Sequence, residues 1–395
     1  MRIGYDATLL RGEPAGVEGT VAALLRALLA LESGDEFVVY CGRRFRPPEW
    51  LARPNVRLRR MPFDSSWRLA RIFWQQMRLP WLANADRLDV FHGPAYVIPA
   101  WMGVPAVLGA ADAIALSHPE LCRKSTVAHL RRFLPRSCRL ARRVVAPSRA
   151  SAEALARFAG ADERKICVVP HGIGAEFRPT ADRALLARVR ESLRLPGRFA
   201  LFVGQLEPKK NLARLVRAFY AAISHLGLDH KLLVVGKPGW RWREVGAEVR
   251  NLGMAETVLF TGYLPGAVLP YIYGLAEALL FPSIVEGFGL PALEAAACGT
   301  PVLTSRDPAL LEVIGEAALA VEASSLPALR EGIERILTDR ELRARLAAAG
   351  PQRAAQFTWE RAARATLEIH RQVLAEDRRE MDELNRRTAG GSGGA

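Results

Sequence analysis

The chain has 395 residues, 50% hydrophobic and 24% charged, an ordinary globular mixture with material for two cores. It has no run of about 20 apolar residues that would make a membrane-spanning helix, and its five scattered cysteines, with no Cys-x-x-Cys pair, offer neither a disulfide framework nor a zinc site. The net charge of +14 is the compositional departure, and it gathers in the first half, at Arg43-Arg44-Phe45-Arg46, Arg57 to Arg60, Arg68 to Arg78 and Arg123 to Arg143.

In chain order, the first half reads as short apolar runs alternating with amphipathic segments, the grammar of a parallel sheet covered by helices. Arg2–Asp6 is a predicted strand, Gly12, Gly16 and Gly19 a glycine turn, and Thr20–Leu31 a helix. Strands are expected at Phe37–Tyr40, Val56–Arg59, Val90–His92, Ala106–Leu108, Arg143–Ala146 and Lys165–Val169, with helices over Ser65–Leu82 and Ser125–Leu140. Gly172 to Pro179 and the Pro196-Gly197 turn form a hinge region. In the second half, strands are expected at Phe199–Gly204, Lys231–Gly236, Val258–Thr261, Ala278–Pro282, Pro301–Thr304 and Ala318–Val321. The intervening helices are expected at Asn211–Ser224, capped by Asn211, then Trp242–Leu252, Pro265–Leu275 and Gly289–Ala297, the last stopped by Gly299. Helices at Leu326–Leu337 and Arg340–Ala349 follow, then a long amphipathic helix after Phe357-Thr358-Trp359 and a flexible tail over 387–395.

Two segments carry chemistry. In Glu286-Gly287-Phe288-Gly289-Leu290-Pro291-Ala292-Leu293-Glu294, a strand end, a glycine turn and a helix start leave bare backbone N–H groups facing an anion, aided by the helix dipole. The two glutamates are spaced for gripping hydroxyls rather than for paired acid and base work, since a carboxylate accepts two hydrogen bonds from a diol. In Phe202-Val203-Gly204-Gln205-Leu206-Glu207-Pro208-Lys209-Lys210-Asn211, a strand again runs into glycine, and a lysine just before a helix offers a compact positive charge to a diphosphate. Both segments fall at carboxyl ends of parallel strands, where open α/β sheets bind ligands.

With these residues the chain resembles the retaining glycosyltransferases of family 4, whose mark is a glutamate, seven residues and a second glutamate, here Glu286 and Glu294. Gly172, Phe177 and Pro179 are similar to the family's linker, Asp89 to Tyr96 to a segment of its first domain, and Phe357-Thr358-Trp359-Glu360 to the start of a helix that crosses back. The resemblance implies an α/β GT-B fold of two Rossmann-like domains facing each other across a cleft, over 1–178 with the crossover helix 357–380, and over 179–356. It implies that Glu286 faces the donor sugar and Glu294 the ribose, and that Phe288, Gly289 and Leu290 hold sugar and diphosphate by their N–H groups. Lys210 would neutralise the leaving diphosphate, and Gly16 would let the first domain approach the donor.

Two departures stand out. Gln205 replaces an arginine frequent in the family, and Ala111 replaces the histidine of a His-Asp pair, leaving Asp112 as its catalytic remnant with His92 and His118 nearby in sequence. The scattered cysteines suit a reducing cytoplasm, and the resemblance implies an enzyme without a metal or other cofactor, taking a hexose from a nucleotide-sugar donor, GDP-mannose foremost, to a saccharide or lipid-linked acceptor in polysaccharide assembly. The alternative from Ala111 is a protein that binds nucleotide sugar without transferring it. The stretch Trp67 to Leu82 mixes aromatics with arginines, which suits either peripheral docking on the inner face of the plasma membrane or packing within the first domain. Nucleic acid is not an expected partner, because no interleaved aromatic and basic strands or recognition helix accompany the charge.

Overall fold

The computed structural model describes residues 1–12 and 16–390. Its first half is a sheet of β1 (Arg2–Asp6), β2 (Glu36–Cys41), β3 (Val56–Arg60), β4 (Val90–Gly93), β5 (Ala106–Gly109), β6 (Arg143–Ala146) and β7 (Ile166–Val168), in the order β3-β2-β1-β4-β5-β6-β7. The second half holds β8 (Phe199–Val203), β9 (Lys231–Val235), β10 (Val258–Gly262), β11 (Ala278–Phe281), β12 (Val302–Ser305) and β13 (Ala318–Val321), in the order β10-β9-β8-β11-β12-β13. Every pairing is parallel. Helices cover both faces of each sheet, so the central strands are buried on both sides and read as unbroken apolar runs, as in Phe199-Ala200-Leu201-Phe202-Val203. The result is the expected two-domain Rossmann-like architecture.

Strand order reverses between β1 and β4 and again between β8 and β11. At such a switch point the connections leave to opposite faces and open a crevice beyond the strand ends. The two crevices face each other, and a cleft of about 1540 Å³ lies between them. Two stretches of chain cross between the halves, and they touch: Ile173 N donates to Phe357 O at 3.1 Å, and Ile173 bridges to Thr358.

The helix Trp359–Gly390 returns to the first sheet. Its Ala363, Leu367 and Val373 pack with Val21, Leu25 and Leu28 of the helix Val17–Ala30 in one core. Arg142 and Arg143 fasten it through Asp377, Glu376 and Glu380. The expected tail is shorter than 387–395, because 387–390 continue this helix and 391–395 lie outside the described residues.

The structure differs from the sequence reading at several elements. The single helix expected over Ser65–Leu82 is two, Arg68–Met77 and Leu79–Ala85, because Pro80 has no N–H to continue the first and sits in the opening turn of the second. The first helix begins at Val17 and takes in Gly19. Asn211 precedes the helix Leu212–Leu226 but does not cap it: it sits at φ +60, and its amide donates to Pro282 O and Ala323 O at 3.1 and 2.9 Å. Helices Arg149–Ala159, Arg183–Ser192 and Pro308–Ile314 were not expected. Among the described residues no helix is long and apolar enough to cross a membrane.

Candidate active site

The connection after β11 carries Glu286 into the cleft and then starts the helix Leu290–Ala297. Gly289, at φ +93, occupies the left-handed region that lets the chain turn sharply into that helix. At the start of the helix the Leu290 N–H has no acceptor within it, Pro291 has no N–H, and the Ala292 N–H is taken by Gly289 O at 3.0 Å. Asp307 steadies the turn: one carboxylate oxygen accepts from Ala309 N and Leu310 N at 3.0 and 3.2 Å, and the other from Glu286 N at 3.4 Å. Burial lifts this carboxyl to about 6, against those hydrogen bonds.

Lys210, from the turn after β8, reaches across the switch point to Glu286, with Nζ and Oε1 2.5 Å apart and both side chains almost fully buried. Burial would lift the Glu286 carboxyl, but Lys210 and Lys209 beside it outweigh that effect and hold it below its ordinary range. Burial pulls Lys210 down while Glu286 opposes it. Lys209 is held above its usual value, because Glu286, Asp112 and Glu207 together overcome its burial. The ammonium of Lys210 also stands 4.7 Å from the Phe281 ring centre. The pocket wall thus holds an ionised carboxylate and two cations, with an open helix start alongside.

Glu294, deeper in the helix, also faces the cleft and accepts from Tyr273 OH at 3.0 Å. Burial lifts its carboxyl to about 7.

The first half meets this wall at the turn holding Gly287. Gly287 lies so near Ala111 that a Cβ would stand 2.2 Å from Ala111 O and 3.1 Å from Asp112 Cβ. The carbonyl of Gly287 accepts from Ser148 Oγ at 2.8 Å, and Ser151 Oγ lies 3.0 Å from it and 2.9 Å from Ala111 O. Nearby, Glu312 accepts from Arg149 N and Ala150 N at the opening of the helix Arg149–Ala159. Asp112 is held by Tyr96 OH and by Ile114 N, each at 3.0 Å.

The donor-site and catalytic residues expected from sequence line this one cleft: Gly16, Asp112 and Gln205, then Lys210, Glu286 and Phe288, and finally Gly289, Leu290 and Glu294. Phe288 does so with its backbone, since its ring is buried against His171 and Phe357. Neither histidine near Ala111 in sequence takes a place in the cleft wall. His92 is buried and paired with His370 at 2.9 Å beneath the crossover helix, and His118 leans on Ser117. The histidine that does line the cleft is His171, kept neutral by burial, which lowers it to about 4. Its place just before the Gly172 linker was the signal for it.

Residues 14–177 match the model of Glycosyltransferase Family 4 and residues 187–353 that of Glycosyl transferases group 1. The chain is 27% identical over 298 residues to the O-antigen chain mannosyltransferase B of Escherichia coli, covering 74% of this chain and 77% of that protein. It is 37% identical over 248 residues to the D-inositol 3-phosphate glycosyltransferase of Acidothermus cellulolyticus, covering 60% of this chain and 54% of that relative's length. Among solved structures, the sucrose-phosphate synthase of Thermosynechococcus elongatus superposes with a TM-score of 0.76 over 95% of this chain and 99% of its own, at 22% identity. Anabaena HepE in complex with UDP and glucose superposes with a TM-score of 0.73 over 93% and 99%, at 19% identity. At these identities the structural likeness speaks for the fold.

Proposed function

The chain belongs to the glycosyltransferases, matched by family 4 over its first half and by group 1 over its second, and from that premise we propose a retaining enzyme that moves a hexose, GDP-mannose its preferred donor, to a saccharide or lipid-linked saccharide in polysaccharide assembly. The observation that carries this reading is the buried Lys210–Glu286 pair beside the open start of the helix Leu290–Ala297. A neutral ligand gains little from such a wall, whereas a sugar joined to a diphosphate uses all of it. The sugar hydroxyls donate to Glu286, the phosphates meet Lys209, Lys210 and the N–H groups of Phe288, Gly289 and Leu290, and the ribose hydroxyls donate to Glu294. Gln205 and Gly16 face the donor from the two rims.

Transfer proceeds on one face of the sugar. As the bond from the anomeric carbon to the phosphate oxygen breaks, the acceptor oxygen forms its bond on the same side and passes its proton to the departing oxygen. The enzyme then needs no strong base, and its contribution is fixed charge placed where negative charge develops. Asp112 stands on the opposite wall to orient the acceptor hydroxyl or the sugar. The test is release of nucleotide diphosphate in the presence of an acceptor extract, with GDP-, UDP- and dTDP-sugars compared in buffer containing a chelator. Acceptor-dependent release that is fastest from GDP-mannose and unaffected by the chelator is expected. Release only from another nucleotide would correct the donor, loss of activity in chelator would overturn metal independence, and no transfer with any donor would overturn the enzymatic reading.

Glu294 makes donor binding pH dependent. Its carboxyl is raised from an ordinary 4.5 to about 7, so its contribution to stability is whole below about pH 4.5 and is lost as pH climbs through 7. Ribose hydroxyls, which donate, favour the ionised form. Nucleotide-sugar binding measured by calorimetry, whose diphosphate does not itself titrate near pH 6, is therefore expected to be about tenfold weaker at pH 6 than well above pH 7. Glu294→Gln should flatten that dependence, and an unchanged slope in the variant would remove Glu294 from the ribose site.

A further inference from the structure

The helix Arg68–Met77 is turned inside out. Its inward side is largely polar: Gln75 Nε2 donates to Asp6, Arg71 is half-buried within reach of the same carboxylate, and Trp74 supplies the apolar anchor. Its outward side is apolar. Leu69, Phe73 and Met77, followed by Trp81 on the next helix, recur every fourth residue and form one stripe. Trp67 extends the stripe, and Trp101 joins it through a loop that Gln76 ties to the helix at Ile98 and Ala100. Their exposures run from 56% at Trp81 to 81% at Leu69. A helix on the surface of a globular protein ordinarily presents its polar side to water, and an apolar patch of this kind marks an interaction surface.

The neighbouring helix, Lys124–Leu140, supplies the charge. Arg68 donates to Ser125 O at 3.2 Å and joins the two. Exposed on the second helix and just before it are Arg123, Lys124, Arg131, Arg132, Arg136 and Arg139, and the helix contains no aspartate or glutamate. None of these cations forms an ion pair with a described carboxylate. Arg78 adds a guanidinium 4.1 Å above the Trp81 ring.

We propose that this face docks on a bilayer of anionic lipid, with the tryptophans and the Leu69-Phe73-Met77 stripe at the boundary between headgroups and acyl chains and the cations against lipid phosphates. The charge selects this occupant over a second copy of the chain, since a symmetric pairing through the same face would set cation against cation. The helix that bears the stripe is fastened from its inward side by Gln75 to Asp6 at the carboxyl end of β1, the strand whose following loop opens on the cleft. A docked molecule therefore holds its cleft mouth close to the membrane surface, where a lipid-linked acceptor lies. The docking itself depends on this surface alone and does not require the proposed transfer reaction.

The test is flotation of the full chain with vesicles of phosphatidylcholine, with and without phosphatidylglycerol. The protein is expected to float with the anionic vesicles, to stay behind with the neutral ones, and to lose binding as salt rises. The exposed double variants Phe73→Glu/Met77→Glu and Arg131→Glu/Arg132→Glu are each expected to weaken partition by roughly tenfold or more, with wild-type melting curves and unchanged donor binding. Equal binding to neutral vesicles, or full binding by both variants, would overturn the proposal. So would a concentration-dependent dimer in sedimentation that Phe73→Glu/Met77→Glu abolishes. A protein that floats but transfers no sugar leaves the docking face standing and strikes only the enzymatic reading.

Discussion

Replacing Glu286 by glutamine is expected to lower kcat by about 10²- to 10³-fold at saturating donor, the range seen when one preorganised polar contact to a transition state is removed. The choice of glutamine matters. Glu286 is the partner of Lys210 in a wall from which water is largely excluded. Alanine would leave that ammonium buried without its counter-charge, a loss of about 3–5 kcal/mol on its own, and lost activity could not be separated from lost structure. Glutamine keeps the shape and one oxygen for the lysine to donate to, and it removes the negative charge proposed to accept from the sugar. Since glutamine also leaves the ammonium without its counter-charge, the expected signature is a large fall in turnover, a melting temperature below that of the wild type but above that of the alanine variant, and nucleotide diphosphate still bound. Turnover near the wild-type rate would take Glu286 out of the reaction and dissolve the proposed donor site.

The second large effect is expected from Gly287→Ala. The added carbon would stand 2.2 Å from the carbonyl oxygen of Ala111, a backbone atom with no rotamer to move aside. Nor can Gly287 slide, because its own carbonyl is held by Ser148 and Ser151. The halves must part where they meet beside Asp112 and Glu286, so these two residues separate while each half keeps its fold. A displacement of about 1 Å between catalytic groups costs on the order of 100-fold, and kcat/KM is expected to fall by about that factor. Nucleotide diphosphate, gripped by the second half, should bind nearly as before. Wild-type kinetics would mean that the contact with Ala111 is not part of the reactive arrangement.

The architecture and the cleft lining were legible in the sequence because each element signals itself locally. β8 and β11 announce themselves by apolar runs ending near glycine, and the turns that follow hold Lys210 and Glu286. That these two side chains meet was not legible, since the contact depends on β8 and β11 lying side by side at the reversal in strand order. Three of the unexpected helices open with Ser148, Asp182 and Asp307, each of which accepts from a first-turn N–H, so a search for capping residues would have found them. Asn211 shows the opposite case. Its residue type fits a cap, but two distant carbonyls claim its amide. The stretch Trp67 to Leu82 displays helical spacing in sequence, yet spacing carries no sign. Only packing decides that Gln75 and Trp74 turn inward and Phe73 outward.

The return of the helix Trp359–Gly390 to the first sheet sets an order on biogenesis. Until that helix leaves the ribosome, Val21, Leu25 and Leu28 rest on the first sheet with one side uncovered, because Ala363, Leu367 and Val373 complete their core. The half translated first is therefore the half completed last. The second sheet can settle while its predecessor waits half-finished, and a nascent chain stalled before Trp359 would offer chaperones a bare apolar flank.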